Sequence, residues 1–104
     1  MGLDFSHGGG CLWAYRYYGD FIAQLKEEAE RHPSTLNPDP IQGLLDHSDC
    51  EGFFEPWECD SIANRMLELV SGWEMSFDSE RERAERMAKG MRRASRLGER
   101  FLYL

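Results

Sequence analysis

The amino-acid sequence predicts a mainly α-helical fold. It would be a compact single domain, residues 1–104, built on three principal helices, with short apolar segments at its two ends that pair as edge strands. Three observations carry this expectation. Apolar residues recur at three- and four-residue spacing over three long stretches. Proline and capping residues stand at the edges of those stretches. Finally, 104 residues with 41% hydrophobic and 30% charged side chains supply one modest core, and are too apolar for a disordered chain.

At the N-terminus Leu3 and Phe5 alternate with polar residues, and Phe101-Leu102-Tyr103-Leu104 closes the chain with a second short apolar run. Gly8-Gly9-Gly10 reads as a hinge, followed by the aromatics Trp13, Tyr15, Tyr17 and Tyr18. The first helix is expected over Asp20–Arg31, with Asp20 as N-cap, Phe21, Ile22, Leu25 and Ala29 as its apolar stripe, and Pro33 as its stop. The segment 33–40 is a loop, and a short helical turn over Ile41–Leu45 follows.

The second helix begins at Pro56, because proline lacks the N–H that has no intrahelical partner in the first turn. Its stripe is Cys59, Ile62, Ala63, Met66, Leu69, Val70 and Trp73, with Gly72 near its end. The third opens on the capping-box pattern Ser79-Glu80-Arg81-Glu82, and its stripe is Ala84, Met87, Ala88, Met91 and Ala94.

The net charge of −7 disfavours non-specific attraction to nucleic acid or anionic lipid. It is unevenly spread: residues 1–60 carry three Lys/Arg against twelve Asp/Glu, and residues 61–104 carry nine against seven. An acidic first half able to neutralise a basic last helix is one consequence. No apolar run reaches the roughly 18 residues that span a bilayer. The start has neither the basic nor the apolar region of a signal peptide, although Gly2 and Ser6 formally fit the myristoylation pattern. Cys11, Cys50 and Cys59 leave an odd thiol, which suits a reducing, cytoplasmic setting.

The stretch His47-Ser-Asp-Cys-Glu-Gly-Phe-Phe-Glu-Pro-Trp-Glu58 carries the sharpest chemical pattern. Gly52 stands sixth, where the chain must turn sharply; Asp49 and Glu51 stand third and fifth; Phe54 eighth; Glu55 ninth; and Glu58 twelfth, where a bidentate carboxylate belongs. In this spacing the segment resembles a degenerate single EF-hand loop. That resemblance implies a divalent cation, calcium rather than zinc, held by His47, Asp49, Glu51, Glu55 and Glu58. The departure is His47 in the first position, since imidazole is a poor calcium ligand. Asp46 substitutes for it if the loop is shifted by one residue. A softer site of His47, Asp49, Cys50 and Cys59 matches no strong zinc spacing. A third reading is a glycine turn whose carboxylates cap the next helix without metal.

The opening Met-Gly-Leu-Asp-Phe-Ser-His, together with His-Ser-Asp-Cys-Glu-Gly and Pro-Trp-Glu-Cys, also resembles a group of small uncharacterised bacterial and phage proteins. The likeness covers roughly residues 1–7 and 44–70. It implies a phage or prophage setting inside the cell and brings no activity with it.

Arg86, Lys89, Arg93, Arg96 and Arg100 form a stripe opposite the buried face of the last helix. Such a stripe is a solvated face or a docking site for an acidic partner. Nucleic acid is disfavoured there, because no aromatic residue interleaves the arginines for base stacking. Ser6-His7-Gly-Gly-Gly-Cys11 places a thiol near an imidazole, yet no Walker-type phosphate loop follows it. The expectation is therefore a small acidic binding protein, not an enzyme, whose partner is a host or phage protein met partly through exposed aromatics at Trp13, Tyr15 and Tyr18. The alternative is a cation-binding module at residues 47–58.

Overall fold

A computed structural model of the protein describes residues 2–3, 5–8, 13–47, 52–71 and 78–103. The fold is mainly helical. Strand β1 (Gly2–Leu3) and strand β2 (Trp13–Ala14) lead into helix α1 (Tyr15–Arg31), which is followed by the short α2 (Ile41–Leu45). Strand β3 (Phe53–Phe54) leads into α3 (Pro56–Ser71), and α4 (Asp78–Leu97) is followed by β4 (Phe101–Leu102).

The helix α1 begins at Tyr15, five residues before the predicted start, so Asp20 is an interior residue and not an N-cap. The apolar stripe extends backwards through Tyr18, which is buried with Phe21 and Leu25. Tertiary burial of that phenol outweighs the helix-weakening Gly19. The same stripe buries Glu28, whose carboxylate meets Arg31 at 3.3 Å and His32 at 3.7 Å.

The start of α3 falls at Pro56 as the spacing predicts, and Cys59, Ile62, Ala63, Met66, Leu69 and Val70 are all buried. The predicted α4 stripe of Ala84, Met87, Ala88, Met91 and Ala94 is buried as well. Small alanines alternating with methionines let α3 and α4 pack along their length as the main helix pair. Gly98 ends α4 in the left-handed region at φ 67°. Its amide bonds the Ser95 carbonyl and that of Glu99 bonds Ala94, so the last turn's free carbonyls find donors. Trp73, Gly72, Cys11 and Cys50 lie outside the described residues.

The ends of the chain do meet, but the pairing is more elaborate than predicted. Phe5 bridges Tyr103 in antiparallel sense, and the Ser6 amide donates to the Leu102 carbonyl. Leu3 instead pairs Trp13, and β4 takes β3 as its strand partner, with Phe53 opposite Leu102 and Phe54 opposite Phe101. This joins the loop at residues 47–58 to the end of the chain. Phe5 stacks on Phe101 at 5.4 Å and meets Tyr103 edge-on at 4.9 Å. Tyr18 and Tyr103 share a buried hydroxyl–hydroxyl hydrogen bond of 3.0 Å. The core thus continues from the helices into a terminal aromatic knot.

Candidate functional site

Three regions bear on function, and the loop before α3 is the first. Gly52 has φ 112°, and a Cβ there would lie 2.8 Å from His47 Cε1. A glycine is required on both counts. His47 packs against the aromatic residues at the end of the chain. Its ring stacks on Tyr103 at 4.5 Å, tilts against Phe54 at 4.6 Å, and donates from Nε2 to the Phe53 carbonyl at 3.2 Å. Glu58 Oε2 reaches back to accept the Glu55 amide at 3.0 Å, which caps the first turn of α3. Glu55 itself accepts from Arg100 Nε at 3.2 Å.

Three of the five predicted cation ligands are therefore committed to the aromatic knot, a helix cap and an ion pair. Asp49 and Glu51 lie outside the described residues. Among the described residues no three His, Cys, Asp or Glu side chains gather as a ligand set. Cys59, in the next turn, is buried, and its thiol donates to the Glu55 carbonyl at 3.3 Å. Burial pushes that thiol up to about 11, and the negative charge of Glu58 adds to the shift.

The second region is the cationic face of α4. Arg86, Lys89, Arg93 and Arg96 are exposed, and among the described residues no carboxylate stands within 4.0 Å of any of them. Arg92, between them, bonds Asn64 of α3 and so points across the groove that separates the two helices. One end of that groove is lined by Leu67, Glu82, Glu85, Arg86 and Lys89. The other is lined by Asp60, Asn64, Lys89 and Arg96. Arg100 does not belong to this stripe. It lies beyond α4, pairs with Glu55 and places its guanidinium 4.1 Å from the centre of the Phe53 ring. The acidic first half thus neutralises Arg100 and, through Asp39, Arg65, while the α4 face keeps its charge.

Arg65 was not visible in the sequence pattern as anything but a surface residue. It is 4% exposed and holds Asp39 through Nε and Nη2, with distances of 3.0 to 3.2 Å. It also meets Glu68 and the His32 carbonyl. Burial lowers the pKa of the guanidinium, but Asp39 and Glu68 outweigh it and the net direction is upward. Asp39 Oδ1 in turn accepts the Ile41 amide at 3.1 Å, so one buried cation fastens the 33–40 loop and the start of α2 to α3. The only sequence clue was an arginine interrupting the apolar run of α3.

The third region is the predicted histidine–cysteine pair. His7, at φ 58°, accepts or donates at Nδ1 with Ser6 Oγ at 2.7 Å and meets Glu99 through Nε2 at 3.1 Å. Ser6 Oγ also accepts the Leu102 amide at 2.8 Å. A serine O–H donated to Nδ1 and an Nε2–H donated to Glu99 satisfy every group. This chain of bonds stitches the N-terminal turn to β4, and Cys11 lies outside the described residues. Tyr18, predicted as an exposed aromatic, is buried; the exposure of Trp13 and Tyr15 lies outside the described residues.

No protein-family model, no curated protein and no solved structure matches this chain. No helix among the described residues is long and apolar enough to cross a membrane.

Proposed function

We propose that this chain is a small, non-enzymatic binding protein that docks an acidic segment of another protein on the cationic face of α4. The resemblance of residues 1–7 and 44–70 implies a phage or prophage setting, and within that setting the partner we propose is a phage or host protein. The observation that carries the proposal is the uncompensated charge of Arg86, Lys89, Arg93 and Arg96 in a chain whose net charge is −7. Carboxylates abound, and three of them neutralise Arg31, Arg65 and Arg100. The α4 face is left to solvent.

A protein partner fits this face better than a nucleic acid. Asp60, Glu82 and Glu85 line the same groove as the cations and would repel a run of phosphates. They suit instead a partner that presents carboxylates with an occasional cation. Rim charges of this kind set association rate and specificity more than final affinity.

The test is capture on the immobilised chain from a bacterial lysate, repeated with Arg86→Glu/Lys89→Glu and with labelled duplex DNA and single-stranded RNA. The expected result is an acidic protein held by the wild type, released as salt is raised, and lost from the variant. Equal retention by the variant, no retained protein, or stronger binding of either nucleic acid overturns the proposal.

A further inference from the structure

The large apolar side chains that remain exposed are not scattered. Of the five among the described residues, Phe53, Trp57, Leu97 and Leu102 all lie where β3, β4, the start of α3 and the end of α4 come together. Phe53 and Leu102 are opposite each other in the ribbon, so they share a face, while the adjacent pair Phe54 and Phe101 points into the core. The contact of Arg100 with Glu55 ties the end of α4 to the start of α3 at this same point.

Trp57 is 77% exposed, a large cost in apolar area for a side chain on the first turn of a rigid helix. It flanks an open groove of about 480 Å³ between α2 and α3, with Pro38, Gly43 and Ile62 as apolar walls. Asp46 and Glu58 stand in the lining, and no lysine or arginine does. Asp39, also there, is already neutralised by Arg65. The groove therefore asks for an apolar side chain with a cation beside it.

The chain carries that feature itself. Leu97, 56% exposed, is the last residue of α4, and Arg93 stands one turn before it on the same side of the helix. Groove and knob lie at the same end of the molecule. A two-fold rotation can then place each copy's Leu97 in the other's groove, with Arg93 facing Asp46 twice. An arrangement of this kind closes on itself and stops at two copies.

We infer that this chain forms a two-fold symmetric homodimer in which Leu97 and Arg93 of each copy dock in the Trp57–Asp46 groove of the other, closing over the Phe53–Leu102 face. The contact shares Arg93 with the cationic face proposed above but leaves Arg86 and Lys89 outside the interface, so Arg86→Glu/Lys89→Glu reads partner capture alone, and Leu97→Glu or Trp57→Glu reads dimerisation alone. Partner capture and dimerisation can therefore fail separately.

Light scattering coupled to gel filtration, from micromolar to submillimolar chain, tests it. The wild type should approach twice the chain mass and dissociate on dilution. Leu97→Glu and Trp57→Glu should remain at the chain mass with unchanged far-ultraviolet circular dichroism, since both side chains are exposed. Arg93→Glu should weaken the dimer, and Arg93→Glu combined with Asp46→Lys in one chain should restore it. A wild type at single-chain mass throughout, Leu97→Glu that still dimerises, growth beyond two copies, or no recovery in the double variant overturns the inference.

Discussion

Cys59 shows how a single side chain's chemistry is set by what packs on it. Its thiol has no contact with water, donates to the Glu55 carbonyl and sits among the charges of Glu58, Asp60 and Glu55. All of these favour the neutral form except the backbone of Phe101, which opposes them. Raising the value from 9.0 to about 11 lowers the thiolate fraction near neutrality about a hundredfold. In a Cys11→Ser/Cys50→Ser chain, iodoacetamide should label native Cys59 at least about a hundredfold more slowly than the urea-unfolded chain. Labelling within a few-fold of the unfolded rate would mean that the thiol is open and ionisable. The stability consequence has a definite sign. The unfolded thiol ionises first, so the contribution is complete below pH 9.0 and is lost as the pH rises towards about 11. That this cysteine is a core residue was legible from its place on the α3 stripe. Arg65 was not, because periodicity alone cannot tell a buried cation with a distant carboxylate from an exposed one.

At the scale of elements, helices were legible where an apolar period met a boundary residue. Pro56 starts α3 and the stripe from Ala84 to Ala94 is buried as spaced, since both depend on local backbone chemistry and a regular repeat. The early start of α1 was not legible. It depends on Tyr18 finding Tyr103, a partner far along the chain. Nor was the β3–β4 ribbon, since two-residue strands carry no period. The loop before α3 shows the same limit on the side of function. Its glycine, carboxylates and apolar anchor are common to a cation loop and to a capped turn, and only geometry separates them. Glu58 is spent on the Glu55 amide and Glu55 on Arg100. A cation at this loop would compete with both contacts or take each carboxylate by its other oxygen. Glu58→Ala should therefore lower unfolding stability by about 1 kcal/mol in urea titration, whether or not calcium is present. In a Trp13→Phe/Trp73→Phe background, Trp57 emission should stay flat as calcium is added. A saturable change in emission, abolished by Glu58→Ala, would restore the cation reading.

At the scale of the whole molecule, the two ends of the chain are part of the core. Phe101 is fully buried, stacks on Phe5 and pairs through Phe54 with the entrance to α3. Tyr103 reaches Tyr18 of α1, packs on His47, and donates its amide to Gly52. The three residues 101–103 therefore contact the N-terminal turn, the first helix and the loop before the third. Most of these contacts join residues far apart in sequence, so their geometry depends on how the helices are placed. Removing the fully buried Phe101 ring at their centre tests that dependence. Phe101→Ala leaves a cavity that Phe5, Tyr103 and Phe54 can close only by abandoning their mutual stacking, and it should cost about 4 kcal/mol. The loss should be seen as a lower urea midpoint. In a Trp13→Phe/Trp73→Phe background, emission of Trp57, three residues after Phe54, should report it together with circular dichroism. Coincident transitions would place the knot within one cooperative core. If emission changes at much lower urea than helicity, the ribbon and termini open as a separate unit, and the helices hold without them.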